Sequence, residues 1–127
     1  MVLSKEDFLR VKLKEEKLRI EELDGEVVIK QLSAKEQAFA IERFQKRIKE
    51  DNVNSLAWRE TLLVRALHDE QGRIFGDGDE EIIAALPDAI VSKLYSVASR
   101  LNPIGDDEKE EEELKNSEAP STDSSTP

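Results

Sequence analysis

Apolar positions over the first hundred residues recur at two spacings, and the change of spacing marks out the elements. Phe8, Leu9, Val11 and Leu13 follow Ser4-Lys5-Glu6-Asp7. A serine with an acid three residues on can satisfy two orphan N–H groups, so a short helix is predicted to about Lys14. Lys17–Leu23 and Glu26–Leu32 then flank Asp24-Gly25. Asp-Gly supplies the positive φ values of a two-residue type I′ turn, which predicts a β-hairpin over about 17–32. That turn sets Leu23 opposite Glu26, Ile20 opposite Ile29 and Leu18 opposite Gln31. Leu18, Ile20, Val27 and Ile29 then share one face. An isolated hairpin is marginal in water, so this face must rest on helices.

From Ser33 the spacing becomes helical. Ser33-Ala34-Lys35-Glu36 forms a second capping box, and the helix it opens is predicted to reach about Glu50. Ile41, Phe44 and Ile48 form its stripe, with Phe39 and Ala40 beside it. Arg43, Lys46, Arg47 and Lys49 suit the negative end of that helix. They read either as a solvated face or as a landing place for an acidic segment. Asn54 or Ser55 caps a third helix, predicted to run to about His68. Its apolar residues, from Leu56 to Leu67, cover more than one face and mark it as the central, most buried helix. Asp69–Gly72 is a turn, and Arg73-Ile74-Phe75 is too short to define a strand. A short helix over 79–86 stops at Pro87, where another can begin. The last helix, about Asp88 to Leu101, carries Ile90, Leu94, Val97 and Leu101 on one stripe, and Asn102-Pro103 ends it. The fold class expected is mainly α with a small β-hairpin (α+β), a compact helical domain over 1–102.

Charge changes the picture beyond that point. Residues 103–127 hold nine acidic and two basic side chains, a net −7 of the chain's −10, which leaves −3 for residues 1–102. The acidic run 106–113 and the Ser/Thr/Pro residues after it leave nothing to bury, so a disordered tail is expected over 103–127. The overall charge argues against duplex nucleic acid and against anionic membrane as partners. Cysteine is absent, which removes disulfides and thiolate metal sites. No apolar run has the length of a signal peptide or a membrane span.

Candidate chemistry is sparse. His68 is the single histidine and has only Asp69 and Glu70 as potential co-ligands; it reads as a helix-terminal residue that complements the macrodipole. A calcium loop counted from Asp77 needs glycine at its sixth position and glutamate at its twelfth, where Ile82 and Asp88 stand. The acids over 77–81 read as helix caps. Gly72, Gly76 and Gly78 lack the Gly-Lys-Ser/Thr of a phosphate loop. No catalytic residue, cofactor site or metal site is therefore expected, and the chain is read as a binding protein rather than an enzyme. Phe39, Trp58 and Tyr95 are the candidate partner-binding residues, with core packing the competing role for Trp58 and Tyr95.

The order of these pieces resembles the siphophage tail assembly chaperone family. The resemblance is carried by Leu3–Leu9, the hairpin from Leu18 to Leu32, Ser33–Glu36, Thr61–Leu67, Asp69–Phe75, Leu86–Ile90, Arg100-Leu101-Asn102 and the acidic tail with Leu114-Lys115-Asn116. It implies a protein that binds the tape-measure protein, keeps it soluble in the host cytoplasm, and gives way to the major tail tube protein as the tube polymerises. It also implies self-association, absence from the mature virion and, in many members, a longer form made by frameshifting near the end of the frame. Two rival readings are a minor structural or connector protein of a phage tail and a small regulatory binding protein.

Overall fold

The computed structural model describes residues 1–103. The acidic tail, with its expected lack of structure, lies outside the described residues from 104 onward.

Helix α1, Lys5–Leu9, starts where the capping residues predict. The Asp7 carboxylate accepts from the Ser4 backbone N–H at 2.8 Å and from the Ser4 hydroxyl at 3.1 Å. It ends five residues earlier than its apolar residues suggest, because none of its side chains is buried and nothing supports a further turn. Strands β1, Glu15–Ile20, and β2, Gly25–Lys30, form the hairpin. Its register differs from the expected one by four residues. Ile20 pairs with Gly25, Leu18 with Val27 and Glu16 with Ile29. Glu21–Leu23 forms a single 3-10 turn, and Asp24 alone takes the left-handed conformation, at φ 52°. Asp-Gly thus closes a four-residue loop rather than forming a two-residue turn. A shift by an even number keeps every side chain on its face. Leu18, Ile20, Val27 and Ile29 accordingly still point to the core.

Helix α2, Ala34–Glu50, has the expected bounds. The Ser33 hydroxyl accepts from the Glu36 N–H at 3.1 Å. A 3-10 turn, Ser55–Ala57, capped by Asn54, leads into α3, Trp58–Ala66. Six consecutive α3 residues, Thr61–Ala66, are buried, and the helix packs against α2, α4 (Glu80–Ala84) and α5 (Asp88–Leu101). It is the central helix.

The sheet is larger than a hairpin. Helix α3 stops at Ala66, two residues before the expected end, and Leu67–Asp69 becomes β3. Leu67 and His68 pair with Ile29 and Val28, so they satisfy the open edge of β2. Gly72–Arg73, β4, closes a second small hairpin and gives a four-stranded antiparallel sheet in the order β1-β2-β3-β4. His68 is therefore a strand residue and not the helix-terminal one expected. Its Nδ1 lies 3.0 Å from the Ala66 carbonyl.

Two polar devices hold the layers together. Asn102, buried at the end of α5, accepts from the Leu32 N–H at 2.6 Å and donates to the carbonyls of Lys30 and Ala98 at 3.2 and 3.0 Å. This ties the C-terminus of α5 to the strand-to-helix junction. On the other side, Arg47 of α2 is only 2 % exposed. It donates to the Ala57 carbonyl, Glu60, Thr61 and Glu81 at 2.9–3.4 Å. Arg43 makes a bidentate pair with Glu80, which is 2 % exposed, at 2.9 and 3.1 Å. The solvated basic face expected over 43–49 is thus reduced to Lys46 and Lys49, while both arginines brace α2 against α3 and α4.

Candidate functional site

The groove that can accept apolar side chains lies where the closed end of the hairpin meets α5. Ile20, Leu23 and Val27 line it from the hairpin, Ile74, Phe75 and Leu86 from the segment before α5, and Ile90 and Leu94 from α5 itself. Leu67 forms part of its wall, and its volume is about 240 Å³. A cavity of about 150 Å³ holds a benzene ring, so there is room here for one or two large apolar side chains.

The local sequence explains the opening. The four-residue loop carries Leu23 to the rim, where it is 69 % exposed, and Ile74 stands 43 % exposed just beyond β4. Neither is covered by another described element. Gly25 forms the hairpin end of the groove, and among the described residues a Cβ there would meet only the Leu23 carbonyl, at 3.8 Å. The rim beside Leu23 is acidic, with Glu21, Glu22, Asp24 and Glu26. Arg19 pairs with Glu21 and Asp24, whereas among the described residues Glu22 and Glu26 take part in no ion pair.

A second apolar surface lies at the opposite end of β1. Leu3, Phe8, Leu9, Val11 and Leu13 are all exposed, and α1 buries none of its residues.

The three aromatic residues singled out by sequence do not meet in one place, and none lines the groove. Phe39 is 41 % exposed on α2, and the Arg65 guanidinium lies over its ring at 5.4 Å. Trp58 is half-buried against the core and makes an edge-to-face contact with Phe44, ring centroids 5.4 Å apart. Tyr95 is also half-buried against the core; burial raises its phenol above the usual range, with Arg59 partly opposing. The residues that sequence reasoning missed are Leu23 and Ile74. The signal for Leu23 was its place beside a turn, and it was masked by the assumed two-residue geometry, which put Leu23 in a strand.

Two other concavities are polar. One, about 430 Å³, lies among Lys17, Glu26, His68, Asp69, Glu70 and Gln71. The other, about 280 Å³, is bounded by Phe39, Arg43, Lys46, Arg65 and Asp77, and its arginines already serve Glu80, Glu36 and Asp77. Among the described residues no group of three His, Cys, Asp or Glu side chains could hold a metal ion, and no helix is long and apolar enough to cross a membrane.

No protein-family model matches the chain, and no curated protein matches it in sequence. Among solved structures, the fold matches that of the tail assembly chaperone of bacteriophage HK97, with a TM-score of 0.53 and 22 % identity. The match covers 76 % of this chain and 90 % of that one.

Proposed function

We propose that this chain is a phage tail assembly chaperone that binds the tape-measure protein and keeps it soluble until the tail tube polymerises around it. The fold shared with the HK97 chaperone carries this reading. The groove at the hairpin end supports it on independent grounds. A long helical client presents apolar side chains at i, i+3, i+4 and i+7, and such a stripe is recognised by an apolar groove on a helical domain. Leu23 and Ile74 are the exposed rim contacts, and Leu67, Phe75, Ile90 and Leu94 line the groove between them.

The work is done by binding alone, with no covalent step. A small apolar groove gives weak, exchangeable contacts, which suits a partner that is later displaced by the major tail tube protein. The acidic residues over 106–113 add like-charge repulsion between coated complexes and so limit their aggregation. The chaperone acts in the host cytoplasm and leaves before the virion is complete. Co-expression with the tape-measure protein of the same genome tests the reading. The tape-measure protein should move from the insoluble to the soluble fraction and co-purify with this chain. A tape-measure protein that stays equally insoluble with and without the chain refutes it.

A further inference from the structure

We infer that the acidic residues 106–113 dock on a cluster of lysines around the point where they leave the same molecule, Lys12, Lys14 and Lys35. Placement is the first ground. Helix α5 hands the chain over beside the junction of β2 and α2, because Asn102 accepts from the Leu32 N–H and donates to the Lys30 carbonyl. The N-terminal segment enters the sheet at the same junction. The Lys14 carbonyl accepts from the Gln31 N–H at 2.8 Å, and the Lys14 N–H donates to the Gln31 side chain at 3.0 Å. That side chain in turn donates to the Leu101 carbonyl at 3.4 Å. Lys35 stands just beyond Leu32, in the first turn of α2.

Charge is the second ground. Lys12, Lys14 and Lys35 are exposed, and among the described residues none of them enters an ion pair. The acids beside them are already matched, Glu15 by Lys30, Glu16 by Arg100 and Glu36 by Arg65. The exit is therefore a place of uncompensated positive charge in a chain of net −10. Residues 106–113 hold seven acids and Lys109, a net of −6. Pairing with three lysines leaves −3, so coated complexes still repel one another.

Reach is the third. The step from Pro103 to Asp106 is about 10 Å of extended chain, and the acidic run spans at most about 28 Å more. Lys46 and Lys49, the other basic surface, lie further along α2, roughly 17 Å or more from Lys35 at 1.5 Å per residue. The lysines at the exit thus meet the acids first. A short tether holds the acids at roughly millimolar effective concentration, so ion pairs that are weak singly act together. Leu13, which is 53 % exposed, sits between Lys12 and Lys14 and is covered by the same contact. The acidic run shields the base of the N-terminal segment, and high salt or a competing polyanion uncovers it. The contact lies within one molecule and needs no client.

The test uses the full chain. It has no cysteine, so Ser117→Cys provides one thiol for a nitroxide label just beyond the acidic run. Paramagnetic broadening of the amides of residues 12–14 and 35 is measured in dilute isotope-labelled protein, against the reduced label. It should be at least about twofold stronger at about 0.01 M salt than at about 1 M, as the screening length falls from about 30 Å to about 3 Å. The triple variant Lys12→Gln, Lys14→Gln, Lys35→Gln should show only the high-salt level of broadening at low salt. Its Tm should stay within a few degrees of wild type, because all three side chains are exposed. Broadening that depends neither on salt nor on the three lysines reflects the tether alone and overturns the inference. So does broadening centred on Lys46 and Lys49. So, too, does broadening of an isotope-labelled chain by a separate nitroxide-labelled chain mixed with it at the same concentration, which would place the contact between copies.

Discussion

Replacing Arg47 by methionine tests whether the buried guanidinium holds α2 to the rest of the domain. The side chain is 2 % exposed and serves acceptors from two further segments, the Ser55–Thr61 stretch and α4. The Ala57 carbonyl keeps a partner when Arg47 is removed, because the Thr61 hydroxyl donates to it at 2.9 Å. Glu81 is 79 % exposed and turns to water. Glu60 is the exception, since its carboxylate is 13 % exposed and loses its partner at 3.2 Å. Removing one member of a buried pair costs about 3–5 kcal/mol, and the escape of Glu81 to solvent places Arg47→Met near the low end, at about 3 kcal/mol. For a domain of this size, about 1 kcal/mol shifts Tm by roughly 4–8 °C, so Tm should fall by about 12–24 °C. Arg47→Lys keeps the charge but not the planar fork, and should lose about half as much. The neighbouring exposed Lys46→Met should stay within about 0.5 kcal/mol of wild type. Thermal unfolding by circular dichroism measures all three. A Tm for Arg47→Met within a few degrees of wild type, matching Lys46→Met, would refute the reasoning.

Three further outcomes follow from the same structure. Asn102→Ala strands the buried Leu32 N–H and should lower stability by about 2 kcal/mol in urea unfolding, with no change in m-value. For Glu80, burial raises the carboxyl pKa, but the hydrogen bonds from Arg43, the Glu80 backbone N–H and the charges of Arg43 and Arg47 together bring it below its usual value of 4.5. A depressed folded pKa gives stability that is fully present above that value and is lost as pH falls through the lowered one. Glu80→Gln should therefore flatten the fall of Tm below about pH 4.5; an unchanged slope contradicts this. The Leu23→Asp/Ile74→Asp variant should keep wild-type Tm to within a few degrees, because both side chains are exposed; a large loss would show that the rim belongs to the core.

Local signals in the chain were enough for much of this fold. Ser4, Ser33 and Asn54 mark helix starts because short polar side chains reach the first free N–H groups, and the period of Ile90, Leu94, Val97 and Leu101 identifies α5. What escaped was set by distant partners. Leu67 and His68 continue a helical pattern, yet pairing with Ile29 and Val28 satisfies the open edge of β2 and turns them into a strand. The hairpin register also depended on the core, because Asp-Gly is compatible with either loop. Arg47 looks like any basic residue near a helix end, and its burial is visible only once Glu60, Thr61 and Glu81 surround it. The groove was out of reach for the same reason, since it joins residues from Ile20 to Leu94 that no local spacing connects. Leu23 could have been flagged as an apolar residue next to a turn, but only the four-residue loop places it on the rim.

The most direct test of the account is to co-express the tape-measure protein with three forms of this chain and to measure how much of it is soluble. The forms are wild type, Lys46→Met as a folded surface control, and the Leu23→Asp/Ile74→Asp groove variant. The account predicts soluble, co-purifying tape-measure protein with the first two and a loss of at least about tenfold with the groove variant, itself folded and expressed at the same level. Equal solubility with the groove variant would contradict the groove as the client site, and insolubility with all three forms would contradict the chaperone function itself.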